Sequence, residues 1–237
     1  MKLLVLESSG LVASVALMEE EKVIGEYTVN FKKTHSQTLL PMVDELVKNI
    51  GIDLKDLDGI AISNGPGSFT GLRIGSATAK GLAQALNIPI VPVSTLEALA
   101  ANLFGTKGII CPMMDARRNQ VYTGLYGYEG SRLITYEKPD ALPVTEILEK
   151  INQNGESVIF LGDGVPVYKN QIEEMVKVPF RYAPPHLNRQ RAGAVGTLAV
   201  QYFQEGKMES ARDHKPDYLR KSQAERELLE KQKAGQI

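Results

Sequence analysis

Ser63-Asn64-Gly65-Pro66-Gly67-Ser68-Phe69-Thr70-Gly71-Leu72-Arg73-Ile74-Gly75 joins an apolar run, Leu57 to Ile62, to a long series of good helix formers ending near Leu86. The run is short, bounded and β-branched, which predicts a buried strand, so the quoted stretch is a strand-to-helix turn. Gly67, Gly71 and Gly75 stand four apart, and Ala79 and Ala83 continue the row, leaving one helix edge almost bare of side chains. A bare edge lets another backbone come close. The expectation is a helix that packs on a partner helix and lends the N–H groups of its first turn to an anion. The plainer reading keeps the glycines for a tight turn and close packing inside the domain. No Lys-Ser or Lys-Thr follows the glycines, and Thr70 stands where a dinucleotide fingerprint needs its third small residue, so neither phosphate-binding motif is present.

With 237 residues, 43% of them apolar, the chain can build one large or two small domains with real cores. Its 27 basic and 28 acidic side chains create no overall field for nucleic acid, so any RNA link must run through a partner or a local patch. The single cysteine, Cys111, sits in the apolar run from Gly108 to Met114; it reads as a small buried hydrophobe and suits a reducing compartment. Glu7 interrupts the N-terminal apolar run too soon for a signal peptide, and no run is long enough to span a bilayer. No membrane role and a cytoplasmic location are therefore expected.

Strands are predicted over Leu3 to Leu6, Val12 to Leu17 and Val23 to Val29, the last two joined by a turn at Glu19 to Lys22. Thr34 and Gln37 have the form of a capping box before Leu39, Leu40, Val43, Leu46, Val47 and Ile50, which recur at helical spacing; Pro41 predicts a kink there or a start near Thr38. After the glycine helix come a strand, Ile88 to Val93, and a helix, Ser94 to Phe104. The order then begins again. Ile109 to Met114 is a strand ending in Asp115, as the first ended in Glu7; Gln120 to Tyr128 and Arg132 to Glu137 form a hairpin; Thr145 to Ile151 is helical; Ser157 to Leu161 is a strand; and Gly162-Asp163-Gly164 turns into a helix over Val167 to Met175. This repeat of element order predicts a duplicated α/β protein: a first lobe over 1–105, a second over 106–220, and a charged tail over 221–237. The helix from Gly193 to Phe203 is expected to close the second lobe.

Several blocks carry a family resemblance. Leu3 to Ser9 with Val12 to Leu17, then His35-Ser36-Gln37-Thr38-Leu39-Leu40-Pro41, then Asn64 to Gly75 with Ala79-Lys80-Gly81-Leu82-Ala83, and Asp115-Ala116-Arg117-Arg118 with Val121-Tyr122, resemble the bacterial TsaB (YeaZ) family. The resemblance implies the two-lobed fold shared by actin, sugar kinases and heat-shock ATPases. It implies a role in making threonylcarbamoyladenosine at tRNA position 37, beside a catalytic paralogue, TsaD, and an ATPase, TsaE, with tRNA reached through the complex. It also implies that the first two helices of the first lobe form most of the bundle with the partner. The matching positions span His35 to Ile50 and Gly67 to Leu86; the residues singled out are His35, Leu39, Val43, Leu46, Ile50, Gly67, Phe69, Thr70, Gly71, Arg73, Gly75 and Ala79. Alone, such an apolar surface is expected to drive a weak homodimer.

Chemistry of the chain's own is not expected. The histidines, His35, His186 and His214, include no pair four apart on a helix, so a metallopeptidase is the least favoured reading. An actin-like kinase would place a carboxylate at the end of the first strand of each lobe, to hold magnesium near phosphates. Here Glu7 stands in place of the family's usual aspartate, with Ser8 beside it and Asp115 in the second lobe; these three mark a possible nucleotide vicinity, and the extra methylene of Glu7 spoils a site that demands tight octahedral geometry. No cofactor of the chain's own is expected, and ATP or ADP is placed at the junction with the partner. Arg117 and Arg118 read first as a solvated pair on a turn, and second as contacts to a phosphate or RNA. Ser8, Ser9, Ser63 and Ser68 lack a histidine base with an orienting acid and read as turn residues.

Overall fold

In the computed structural model the N-terminal apolar run becomes β1 (Lys2–Glu7), paired antiparallel with β2 (Ala13–Glu19), which pairs in turn with β3 (Lys22–Val29). The structure describes residues 1–31 and 33–220, so the expected tail lies outside the described residues. α1 (His35–Ile50) follows Thr34, whose side chain makes no capping bond, and runs through Pro41 without a break. Pro41 is exposed, so its ring projects into solvent and not into the core. Leu39, Met42, Val43 and Leu46 form the buried stripe, at the i, i+3, i+4, i+7 spacing of one helix face.

β4 (Gly59–Gly65) lies parallel to β1, and the quoted stretch turns there into α2 (Phe69–Leu86), whose cap is Ser68. β5 (Ile90–Ser94) and α3 (Thr95–Ala101) complete the first round. The second round is β6 (Ile109–Asp115), β7 (Gln120–Glu129), β8 (Arg132–Pro143), α4 (Val144–Asn154), β9 (Val158–Leu161), α5 (Gly164–Met175), β10 (Phe180–Tyr182) and α6 (Ala192–Gln204). The two sheets have the orders β3-β2-β1-β4-β5 and β8-β7-β6-β9-β10, the same sequence of strands used twice. This is the two-lobed actin-like architecture. α1 and α2 cover one face of the first sheet, where Leu39, Val43, Leu46, Ala79 and Ala83 join Leu4, Leu6, Ile60 and Ile62 in one core. α4 and α5 cover the equivalent face of the second sheet.

The third helix of each round crosses over. α6 was expected to close the second lobe; it packs instead on the first sheet, where Ala192, Val195, Leu198 and Ala199 bury against Leu3, Val5, Ala16 and Val91. α3 does the reverse. Leu96, Leu99, Ala100 and Leu103 bury against Ile110, Met114, Tyr122 and Tyr126 of the second sheet. Burying each leucine or valine among these contributes roughly 1.5–3 kcal/mol, so each lobe depends on the other's helix for much of one face.

After α6 an irregular strap returns along the first lobe. Glu209 exchanges two backbone hydrogen bonds with Ile90 at 2.9 Å, and Lys80 Nζ donates to the His214 carbonyl at 3.0 Å. Asp217 N–H then donates to Asn64 O at 2.7 Å, and Tyr218 stacks on Phe69 with ring centroids 4.8 Å apart. Arg220 reaches the second lobe, donating from Nη1 to Ala116 O at 2.7 Å. Nothing in the hydrophobic periodicity announced this strap.

Candidate functional site

The lobes enclose a cleft of about 550 Å³, floored by the β1–β2 turn and the start of α2 on one side and by the β6–β7 turn on the other. Its first wall corrects the expectation for the glycine row. A Cβ on Gly67 would overlap Ser9 O, one on Gly71 would overlap Ser8 O, and one on Gly75 would overlap Ser8 Oγ. The bare edge does admit a close backbone, as its chemistry predicts, but that backbone is the chain's own. Ser8 Oγ donates to Gly71 O at 3.0 Å, and Ser68 N–H donates to Ser9 O at 2.7 Å, stitching α2 to the end of β1.

The expected docking residues therefore divide. Leu39, Val43, Leu46, Gly71, Gly75 and Ala79 are buried within the first lobe and present nothing to a neighbour. Ile50 and Gly67 are half-buried. His35 and Phe69 are also half-buried, with His35 donating from Nε2 to Gly10 O at 2.8 Å, and Thr70 and Arg73 are exposed. The outward face of the paired helices carries residues not singled out beforehand: Leu40, 53% exposed, on α1, and Ala77, Gly81 and Gln84 on α2. Nothing lies within 4 Å of a Cβ built on Gly81.

Glu7 and Ser8 are placed behind the cleft wall. Both oxygens of the Glu7 carboxyl are taken: Oε1 accepts from Ser9 N–H and Ser9 Oγ, each at 2.6 Å, and Oε2 accepts from Ser63 Oγ. The side chain is fully buried, and burial pushes its pKa up, opposed by the hydrogen bonds from Ser63 and Ser9 and by nearby His35. The serine hydroxyls are thereby spent on local structure, and Ser68 Oγ accepts from Gly71 N–H.

Asp115 does line the cleft. Its Oδ1 accepts from Tyr168 OH at 3.1 Å and from Arg117 N–H at 2.9 Å, and its own N–H points to Asp163 Oδ1 at 3.4 Å. Asp163 is half-buried, and desolvation raises its pKa against the bond from Asp115 and the charge of Arg189. The magnesium–nucleotide arrangement implied by the fold needs facing carboxylates on the two lobes, and only the second lobe presents one to the cleft. The residues present do not fit it. Among the described residues no three of the His, Cys, Asp and Glu side chains converge as metal ligands. His214 is buried on the strap with Nδ1 2.6 Å from Glu209 Oε1. No helix among them is long and apolar enough to cross a membrane.

Sequence reasoning missed Lys33, Tyr122, Asp163 and Arg220 as cleft residues. Arg220 arrives by the strap, and no local pattern could have placed it there.

A family model described as TsaD, tRNA N6-adenosine threonylcarbamoyltransferase, matches residues 22–228. The chain is 36% identical over 236 residues to the tRNA threonylcarbamoyladenosine biosynthesis protein TsaB of Bacillus subtilis (strain 168), covering 98% of this chain and 100% of that one. It is 29% identical over 231 residues to the TsaB protein of Escherichia coli (strain K12), covering 96% and 98%. The solved structure of YeaZ from Pseudomonas aeruginosa superposes with a TM-score of 0.80 at 30% identity, over 92% of this chain and 99% of that one.

Proposed function

The chain belongs to the TsaB family, and from that premise we propose that it serves tRNA threonylcarbamoyladenosine biosynthesis as a subunit that docks on a TsaD-type transferase and performs no transfer itself. The observation that carries the second half is the closed Glu7 carboxyl. Both of its oxygens are held by Ser9 and Ser63, and its environment disfavours charge, so the first lobe offers the cleft no anionic ligand for a phosphate-bound cation.

Docking uses the outward face of α1 and α2, not the glycine row. Leu40 is an exposed large apolar side chain, and Ala77 and Gly81 leave a shallow strip on which a partner helix can lie close. In the absence of the transferase this strip pairs with its copy, giving a weak homodimer. ATP or ADP sits at the junction with the partner, where the partner completes what this cleft lacks; a TsaE-type ATPase and the tRNA join the same assembly.

The test is reconstitution of tRNA modification from the TsaD-type and TsaE-type subunits of the same organism, with and without this chain. Modification that depends on the chain and survives Glu7→Gln supports the proposal. Equal modification without the chain, or transfer by the chain alone, overturns it.

A further inference from the structure

Balanced in charge overall, the chain gathers several cations at one place. Lys33, Arg117 and Arg220 line the cleft, and Arg118 follows Arg117 on the same exposed turn. Arg73 lies across the stacked rings of Phe69 and Tyr218, 5.8 Å and 6.0 Å from their centroids, and Tyr218 is 38% exposed. Among the described residues neither Lys33 nor Arg118 has a carboxylate partner, and Arg117, 87% exposed, has only Asp115 at 3.7 Å. Asp217 is the exposed acid beside Tyr218 on the strap; the carboxylates of Asp115, Asp163 and Glu7 lie deeper.

The backbone of the turn sharpens the point. Arg117, Arg118 and Asn119 have φ of 65°, 55° and 58°, three successive residues in the left-handed region. Tight hairpins meet that demand with Asn-Gly, whereas a residue with a Cβ and a long side chain sits there at a cost. The two arginines do not recover the cost by packing, since both are in solvent. The turn is held by backbone bonds that other residues could make equally, Arg117 N–H on Asp115 Oδ1 and Gln120 N–H on Arg117 O, so the presence of two arginines there points to what their side chains bind.

We propose that the Arg117–Arg118 turn, with Arg220 held beside it on Ala116 O and Lys33 on the first-lobe side of the cleft, is a contact for the phosphate backbone of an RNA loop, with the exposed Tyr218 near it to stack on a base. RNA suits the site better than a free nucleotide. The cations are several and Arg117 and Arg118 are exposed, as a polyanionic backbone requires, while the less exposed Asp115 and Asp163 of the same cleft would repel a phosphate that entered it. The choice of RNA rests on the role in tRNA modification proposed above; the cluster and its strained turn do not.

The experiment pairs Arg117→Asn with Arg118→Gly, which removes both charges and gives the turn the residues its backbone prefers. Full-length wild type and double variant, each alone and with the TsaD-type subunit, are titrated onto a fluorescently labelled, unmodified tRNA transcript at two salt concentrations. In the complex, the variant should bind about tenfold more weakly at low salt, and the slope of log K against log salt should fall by about one to two. Its melting temperature should stay level or rise, and capture of the partner should be unchanged. Unaltered affinity and slope overturn the proposal. So does weaker binding that comes with a lower melting temperature, which would make the arginines structural, or weaker binding of labelled ADP with tRNA binding unchanged. If the wild-type chain fails to capture the TsaD-type subunit, the subunit reading fails instead, and the RNA contact is judged on the same comparison with the chain alone.

Discussion

Replacing Gly71 by alanine should destabilise this chain, while the same replacement ten residues along the same helix, at Gly81, should stabilise it. At Gly71 the new methyl would overlap Ser8 O and come within 3.3 Å of His35 Cδ2. Ser8 has little room to retreat: its own Oγ is bonded to Gly71 O, Ser9 O accepts from Ser68 N–H, and Ser9 is tied to the Glu7 carboxyl. Helix and strand end must therefore separate, and because the obstacle is backbone the overpacking falls at the upper end of the usual range, about 2–3 kcal/mol, against a helix-propensity gain of about 1 kcal/mol for alanine over glycine. The net loss of about 1–2 kcal/mol lowers the melting temperature of a chain of this size by roughly 2–8 °C. At Gly81 only the propensity gain remains, about 0.5–1 kcal/mol, because the added methyl meets nothing within 4 Å. Paired thermal and urea unfolding of the two variants reads both signs. Gly71→Ala melting at or above wild type would show that the glycine row is not closed against the end of β1.

Glu7→Gln should fold normally, because the amide can keep the Ser9 bonds while the Ser63 hydroxyl rotates to accept. Glu7→Ala strands the donors of Ser9 and Ser63 in the core and should cost about 2–4 kcal/mol in urea unfolding. Burial holds the folded-state pKa of Glu7 above its ordinary 4.5, so the folded chain binds that proton more tightly than the unfolded one. Its contribution is most favourable below 4.5 and falls as pH rises through the folded-state value; the difference in stability between wild type and Glu7→Gln should show that slope and flatten above it. Gly81→Arg should abolish capture of the TsaD-type subunit in a pull-down while leaving the melting temperature of the chain within about 2 °C, since the side chain projects from an open helix face. Retained capture would move the docking surface away from α2.

The doubled order of elements was legible because each element carries its own local signal: the i, i+3, i+4, i+7 stripe of α1, the bounded apolar runs of β4 and β6, and the glycine turn before α5. Which sheet a helix packs against is not a local property. α6 shows small apolar residues on most of its faces, and nothing in Ala192 to Gln204 says that Val195 and Ala199 meet Val5 and not a strand of the second round. The glycine spacing correctly announced a close backbone approach but could not say whose backbone. That depended on Ser8 and Ser9 folding back over α2, a contact about sixty residues apart in sequence. The cleft was half legible: Asp115 follows from the repeat, whereas the withdrawal of Glu7 depends on Ser63, and Arg220 depends on an irregular strap.

The exchange of third helices has a practical outcome for anyone cutting this gene. Residues 1–105 look like a self-sufficient unit, yet expressed alone they would leave the Leu96, Leu99 and Ala100 face of α3 without the second sheet and Leu3, Val5 and Val91 without α6; the complementary piece would hold α6 idle and expose Ile110 and Tyr126. Each fragment should aggregate, and co-expression should restore a soluble pair, because the two halves are each other's missing wall.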